Sequence, residues 1–311
     1  MTRPVLLICN PSAAGGAGAG VGHTYQRLLV ESGHPVRLVH TRDLAHAGAL
    51  AGAAASAGEI AGAVGGDGLV GRVAGATAAA GGLLAVLPAG RGNDFARHLA
   101  IPADPAGAVR VLLTGTERRL DLGTANGVPY ACIASVGFDS DVQERVATSR
   151  LPWGALIYPA MALRSVLAWR HATFTLTASG DTADGDTAAG DTAAGVTAAG
   201  VTSQLRGWSV VAANTSSYGG GMRMAPGADA TDGLLEVVTT RASGKLTFLR
   251  SFPKVFSGSH VGLAMVQVSR ARQLQVSADR PFRVFADGDP VTSLPCTFGV
   301  LPGALRVLLP T

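Results

Sequence analysis

Three short glycine-bearing segments hold the residue types that could do chemistry. Asn10-Pro11-Ser12-Ala13-Ala14-Gly15-Gly16 follows the first apolar run. Small residues there let backbone amides approach a phosphate, and a following helix N-terminus favours negative charge. A plain glycine turn accounts for the same letters equally well. Gly65-Gly66-Asp67-Gly68, extended to Gly71, satisfies Gly-x-Gly-x-x-Gly. It lies in the third strand–helix unit and lacks a ribose-binding acid after the next strand, so a dinucleotide site ranks low. Leu87 to Arg97 packs a turn, Arg91, the Asn93-Asp94 pair and a helix start into one segment. A helix cap explains one of those polar residues but not the whole segment. Two later segments, Met224–Leu234 and Phe285–Pro290, contain Asp-Gly pairs that read by themselves as turns.

Composition removes several classes. Glycine numbers 42 of 311 residues, about twice the usual share, so single glycine motifs need context. Lys245 and Lys254 are the only lysines. That excludes a Walker A loop and a protein kinase, both of which need a lysine in their nucleotide site. A net charge of +4 and a pI near 9.3 suit phosphates or an anionic membrane surface but are too weak to argue for nucleic acid. Cys9, Cys132 and Cys296 sit in apolar runs and read as reduced core thiols. The N-terminal residues do not read as a signal peptide. The run Leu151–Trp169, with Pro152, Pro159 and Arg164, does not read as a bilayer span.

The elements that must position these segments follow from periodicity. Val5–Cys9, Val36–His40, Ile60–Val64 and Leu83–Leu87 read as strands. Thr24–Ser32, Leu44–Ala57, Val70–Ala80, Phe95–Leu99 and Ala106–Leu113 read as helices. Such alternation predicts a parallel sheet covered by helices, with ligands at strand carboxyl ends. After about Asp121 the pattern turns to strands: Tyr130–Val136, Thr173–Ala178, Trp208–Ala213, Leu234–Thr240, Gln273–Ser277 and Phe282–Phe285. Leu156–Arg170 and Lys245–Ser257 are the helices expected there. Residues 179–203, with a five-residue Thr-Ala-Ala-Gly repeat, read as a disordered insertion.

In order, Asn10-Pro11, Gly65-Gly66-Asp67-Gly68, Gly90 with Asn93-Asp94-Phe95-Ala96-Arg97, Gly137-Phe138-Asp139, Ala225-Pro226 with Asp232-Gly233, and Asp287-Gly288-Asp289 resemble the diacylglycerol kinase catalytic-domain superfamily, in its soluble bacterial lipid kinase branch. The resemblance covers the chain outside 179–203. It implies an α/β protein: a three-layer N-terminal nucleotide-binding domain (1–122) and a C-terminal β-sandwich domain (123–311), the active site in the cleft between them. The last strand is expected to pack back on the first domain. The implied reaction transfers the γ-phosphoryl group of ATP, with Mg2+, to a lipid hydroxyl, diacylglycerol first, giving phosphatidic acid.

The resemblance also assigns residues. Asn10, Pro11, Ser12, Ala13, Ala14, Thr41, Gly65, Gly66, Asp67, Gly68, Leu69, Gly71, Gly90, Arg91, Asn93 and Asp94 would line the ATP site, Asp94 acting through water on magnesium. Asp289 would be the base and Asp287 its support. Asp229, Asp232 and Leu234 would hold a structural metal. Three positions depart from the family pattern. Leu69 replaces a threonine and loses a hydroxyl. Arg91 replaces a threonine and either binds a phosphate bidentately or points away. Asp289 replaces a glutamate and is one methylene shorter. Phe248, Phe252 and Phe256 recur every four residues beside Lys245, Arg250 and Lys254, a stripe that faces either the core, which is preferred, or a membrane. The expected setting is cytoplasmic and peripherally membrane-associated, with no nucleic-acid partner and a homodimer left open. The competing readings are a weakly catalytic nucleotide-binding regulator of the same fold and a kinase for a sphingoid or soluble hydroxyl substrate.

Overall fold

The structure, a computed structural model, describes residues 3–149, 157–179 and 202–311. In its first part, strand β1 (Val5–Cys9) leads through α1 (Ala13–Gly16) and α2 (Gly18–Glu31) to β2 (Val36–His40). Then come α3 (Leu44–Ser56), β3 (Ile60–Gly65), α4 (Asp67–Ala79), β4 (Leu83–Pro88), α5 (Asp94–His98) and α6 (Pro105–Thr114). All pairings among these strands are parallel, in the order β4-β3-β1-β2. Every residue of β1, β3 and β4 is buried, as expected of parallel strands with both faces covered by helices. Asp43 and Asp104 start α3 and α6 by accepting backbone N–H bonds from His46 and Gly107, each at 2.7 Å. Helix α2 begins six residues before the apolar period announces it. Its first turns carry Gly18 and Gly22, where the helix presses on β1: a Cβ on Gly22 would stand 2.8 Å from Cys9 Sγ. Close packing removes the side chains that would have shown the period.

The second part contains β5 (Thr116–Ala125), β6 (Val128–Tyr130), β7 (Ile133–Gly137), α7 (Phe138–Thr148), α8 (Ile157–Ala168), β8 (Ala172–Ser179), β9 (Thr202–Ala213) and β10 (Leu235–Arg241). It ends with α9 (Lys245–Ser251), α10 (Lys254–Ser257), β11 (Val266–Ala271), β12 (Gln273–Ala278), β13 (Arg283–Ala286), β14 (Asp289–Ser293) and β15 (Cys296–Leu309). These strands pair antiparallel into a β-sandwich around Phe174, Leu274, Val284 and Phe298. The long β15 ties the two parts together. Its first residues pair with β12, its length with β5, and Arg306 and Val307 run parallel to Leu83 and Leu84 of β4.

Four expectations need correction. The single strand Tyr130–Val136 is two strands, because the intervening amides bond to a side chain, described below. The helix Lys245–Ser257 is two, broken where Pro253 lacks an N–H. Helix α7 was not expected; its sequence, FDSDVQERVAT, is half polar and short of apolar periodicity. Ser179, Thr202 and Ser203 are paired strand residues and not part of an insertion; the rest of the segment expected to be disordered lies outside the described residues. The aromatic stripe divides. Phe248 stacks on buried Trp208 with ring centroids 3.9 Å apart, while Phe252 and Phe256 are exposed. The three cysteines are unpaired and buried; burial pushes Cys9 up to about 11 and Cys296 up to about 12. Among the described residues no helix is long and apolar enough to cross a membrane.

Candidate active site

The start of α4, at the carboxyl end of β3, meets the β13–β14 turn of the sandwich. Gly66, after β3, and Gly90, after β4, pass so closely that a Cβ on Gly90 would collide with the Gly66 backbone. Asn93, in the left-handed region at φ 52°, fixes that turn. Its Oδ1 accepts the Gly90 N–H at 2.8 Å and its Nδ2 donates to the Gly90 carbonyl at 3.0 Å. Asn93 is therefore a loop clamp. On β1, Asn10 Oδ1 accepts the Ser12 N–H at 3.0 Å, shaping the first turn, and Pro11 follows within it. Ala13 and Ala14 open α1. Thr41 is buried, its hydroxyl 3.3 Å from the Cys9 carbonyl. Leu69 is buried too and fills the space beside Gly65, so the missing hydroxyl is replaced by core packing.

Acids from both parts converge here. Asp67 opens α4 and accepts the Phe95 N–H at 3.1 Å. Asp94 is buried; its two oxygens accept the N–H groups of Gly220 and Gly221, each at 2.7 Å, and Arg97 pairs with it. Asp94 thus clasps the glycine turn of the second part. A Cβ on Gly92 would lie 2.9 Å from Asp67 Oδ2 and 3.3 Å from Asp94 Oδ2, so the two carboxylates flank one spot.

The late acid turn lies against the start of α4. A Cβ on Gly68 would stand 2.6 Å from Asp289 Oδ2, and one on Gly71 would collide with Asp287. Glycine at both positions is what admits the two acids. Asp287, at φ 49°, accepts N–H bonds from Ala131 at 2.7 Å, Cys132 at 2.8 Å and Ile133 at 3.2 Å. Those are the amides that separate β6 from β7. Burial, opposed by these three donors and reinforced by the Asp67 charge, lifts Asp287 to about 7. Burial also raises Asp289 and Asp67 above the ordinary carboxylate range. Among the described residues the Asp289 carboxylate has no hydrogen-bond partner. Arg91 reaches back over the first loop: its Nη2 would be 3.3 Å from a Cβ on Gly15.

Sequence reasoning missed several supports. Buried Asp121 accepts the Gly233 N–H at 2.7 Å and the Gly303 N–H at 2.6 Å. Asn214 donates to the carbonyls of Asp121 and Ala131 at 3.0 and 2.9 Å, beneath the amides that hold Asp287. Asp139, in the first turn of α7, has a buried Oδ2 without a partner, and burial pushes it up to about 6. Its one signal was the Gly-Phe-Asp triplet. Asp229, Asp232 and Leu234 lie apart from the acid cluster's α4 contacts, in the loop before β10. Asp229 Oδ1 accepts from the Thr231 N–H and hydroxyl, and Asp232 Oδ1 accepts the Leu234 N–H at 2.9 Å, with Arg270 3.7 Å from its other oxygen. Among the described residues no three His, Cys, Asp or Glu side chains converge as a metal cage. A cavity of about 480 Å3, lined in part by Asp141, Arg145, Trp169 and Arg280, lies elsewhere, between α7, the end of α8 and the approach to β13.

The family model described as "Diacylglycerol kinase catalytic domain" matches residues 4–125, and that described as "YegS C-terminal NAD kinase beta sandwich-like domain" matches residues 132–309. The chain is 32% identical over 313 residues to a diacylglycerol kinase of Mycobacterium tuberculosis, covering 98% of this chain and 95% of that relative. This chain belongs to the diacylglycerol kinase family. A diacylglycerol kinase of Bacillus subtilis is 24% identical over 255 residues, covering 80% of this chain and 77% of its own length. A crystal structure of a diacylglycerol kinase from Bacillus anthracis superimposes with a TM-score of 0.69 at 18% identity, covering 99% of this chain and 97% of the other. That likeness speaks for the fold alone: an N-terminal α/β domain and a C-terminal β-sandwich. Within the family frame, the convergence of Asp67, Asp94, Asp287 and Asp289 defines the candidate site.

Proposed function

We propose that this chain is an ATP- and Mg2+-dependent lipid kinase that transfers the γ-phosphoryl group to the hydroxyl of diacylglycerol. The observation that carries the reading is the Asp287-Gly288-Asp289 turn of the sandwich seated on Gly68 and Gly71 of α4, beside Asp67. A nucleotide held by the first part and an acceptor held by the second would meet there.

The residues present fit both groups. Gly66 and Gly90 leave a backbone-only surface at two strand ends, and the start of α4 favours anionic oxygens. Asp67 supplies a hard oxygen donor, and Asp94, whose oxygens already accept two N–H bonds and Arg97, would act on the metal through water; magnesium in kinase sites takes one or two carboxylates and completes its shell with phosphates and water. When bound there, the metal would neutralise charge on the transferring phosphoryl oxygens. Arg91, standing over the Asn10–Gly16 loop, offers a guanidinium to the phosphates in a first part without lysine. Asp289 accepts the proton of the attacking hydroxyl as the oxygen's electron pair forms the bond to phosphorus and ADP leaves. Burial raises its proton affinity above that of an ordinary aspartate, and its freedom from other hydrogen bonds leaves both oxygens open to the hydroxyl proton. Asp287, held by three amides, fixes the turn that presents Asp289 and is a positioning residue.

The test is transfer of label from γ-labelled ATP in the presence of mixed micelles containing diacylglycerol, ceramide or a sphingoid base, with a nucleoside as soluble control. Label in phosphatidic acid, abolished by EDTA and restored by Mg2+, is expected. Label in the nucleoside alone would move the chain to the soluble-substrate reading. Tight ATP binding without transfer to any acceptor would make it a regulator.

A further inference from the structure

Three helices of the second part, α8, α9 and α10, leave apolar side chains in water. On α8, Tyr158, Leu163 and Leu167 are 58%, 49% and 64% exposed. On α9 and α10, Leu246, Leu249, Phe252 and Phe256 are 59%, 36%, 37% and 52% exposed. Leu246 and Leu249 are one turn apart on α9, and the rings of Phe252, in the break between the helices, and Phe256 meet edge-on at 6.2 Å. The helices adjoin: Lys245 Nζ donates to the Leu167 carbonyl at 2.5 Å. Beneath them, Phe248 on Trp208 and Phe138 on Phe248 anchor the layer to the sandwich. Contiguous exposed patches of this kind mark contact surfaces.

The charges carried by the patch's own segments are of one sign, while the acids of neighbouring α7 are engaged elsewhere, Asp141 with Arg145 and Ser165 and Glu144 near Arg283. Arg164, Arg170, Lys245, Arg250 and Lys254 belong to these segments, and neither 157–170 nor 245–257 contains an Asp or Glu. Both lysines of the chain are here. Long cationic side chains around apolar ones match a bilayer with anionic headgroups, the stems lying along acyl chains and the charges at phosphate level. A second copy of the chain fits poorly, because a two-fold contact would bring the two sets of cations together.

We propose that the outer face of α8, α9 and α10 docks the enzyme on an anionic phospholipid bilayer. The inference rests on the lipid-kinase reading for its purpose and on the side chains for its place. The test is sedimentation with vesicles of phosphatidylcholine alone or mixed with phosphatidylglycerol. It compares wild type, Leu163→Glu with Leu246→Glu, and Arg250→Gln with Lys254→Gln. Transfer to detergent-dispersed diacylglycerol is measured in parallel. Wild type should bind the mixed vesicles, less so as salt rises, and each double variant about tenfold or more weakly. Transfer in detergent should be unchanged, which also shows that the variants fold. Equal binding of wild type and both variants, or binding indifferent to phosphatidylglycerol, would overturn the docking face. So would a solution dimer that the glutamate variant splits. Vesicle binding that depends on the face, without any transfer in detergent, would leave the face standing and sink the lipid-kinase reading instead.

Discussion

At the scale of single residues, the account turns on how burial divides tasks among four aspartates. Asp94 is clasped by two backbone amides and Arg97, Asp287 by three amides, and Asp289 by none. In the proposed reaction the proton acceptor is therefore Asp289. Because burial raises it, kcat/KM should climb with pH along an acidic limb lying above the ordinary carboxylate range. A pH profile checks this, and a limb near pH 4 would contradict it. Arg91→Ala should raise the KM for ATP about tenfold with a smaller change in kcat, if the guanidinium serves phosphate binding; steady-state kinetics read the split. Stability carries a signature as well. Asp139 goes from 3.8 to about 6 on folding, so the folded state holds its proton where the unfolded state has lost it. Its contribution is complete below 3.8 and lost as pH rises through about 6, with a slope of at most about 1.4 kcal/mol per pH unit. Chemical denaturation across that window should show the decline in wild type and a flatter curve in Asp139→Asn. The Asp-Gly-Asp turn was legible in sequence through the ordered motifs around it. Asp121 and Asn214 were not, because their roles depend on the N–H groups of Gly233 and Gly303 and on the Ala131 carbonyl, which only the fold brings near.

At the scale of elements, continuous apolar runs identified β1, β3 and β4 well, since strands buried on both faces carry little else, while β2, at the sheet edge, is partly exposed. Helices pressed on those strands by glycine were legible only in part: α2 starts at Gly18, six residues before its apolar period. Helix α7 was hidden by its polar composition, and the gap between β6 and β7 by amides diverted to Asp287. The layer of α7, α8 and α9 hangs on one ring system. Trp208, fully buried, stacks on Phe248 and meets Phe138 edge-on at 5.6 Å. Trp208→Ala should cost about 3–5 kcal/mol in chemical denaturation. A loss under about 1 kcal/mol would mean the helices are held by something else.

At the scale of the whole molecule, the two parts share a strand. β15 lies between β4 and β5 as well as beside β12, so the first part cannot close its sheet without the end of the chain. A chain truncated before Gly303 should leave the edge of β4 open and aggregate. That joint also sets the distance between Asp67 of α4 and the Asp287–Asp289 turn, which makes the site a property of the assembled molecule. The central claim, that acids of the two parts form one phosphoryl-transfer site with Asp289 as base, has a direct measurement. It is the rate of label transfer from ATP to dispersed diacylglycerol at saturating ATP and Mg2+ for wild type, Asp289→Asn and Asp289→Glu. The account predicts a fall of about 100-fold or more for asparagine, substantial retention for glutamate, and ATP binding unchanged in both. A wild-type rate surviving in Asp289→Asn would contradict it.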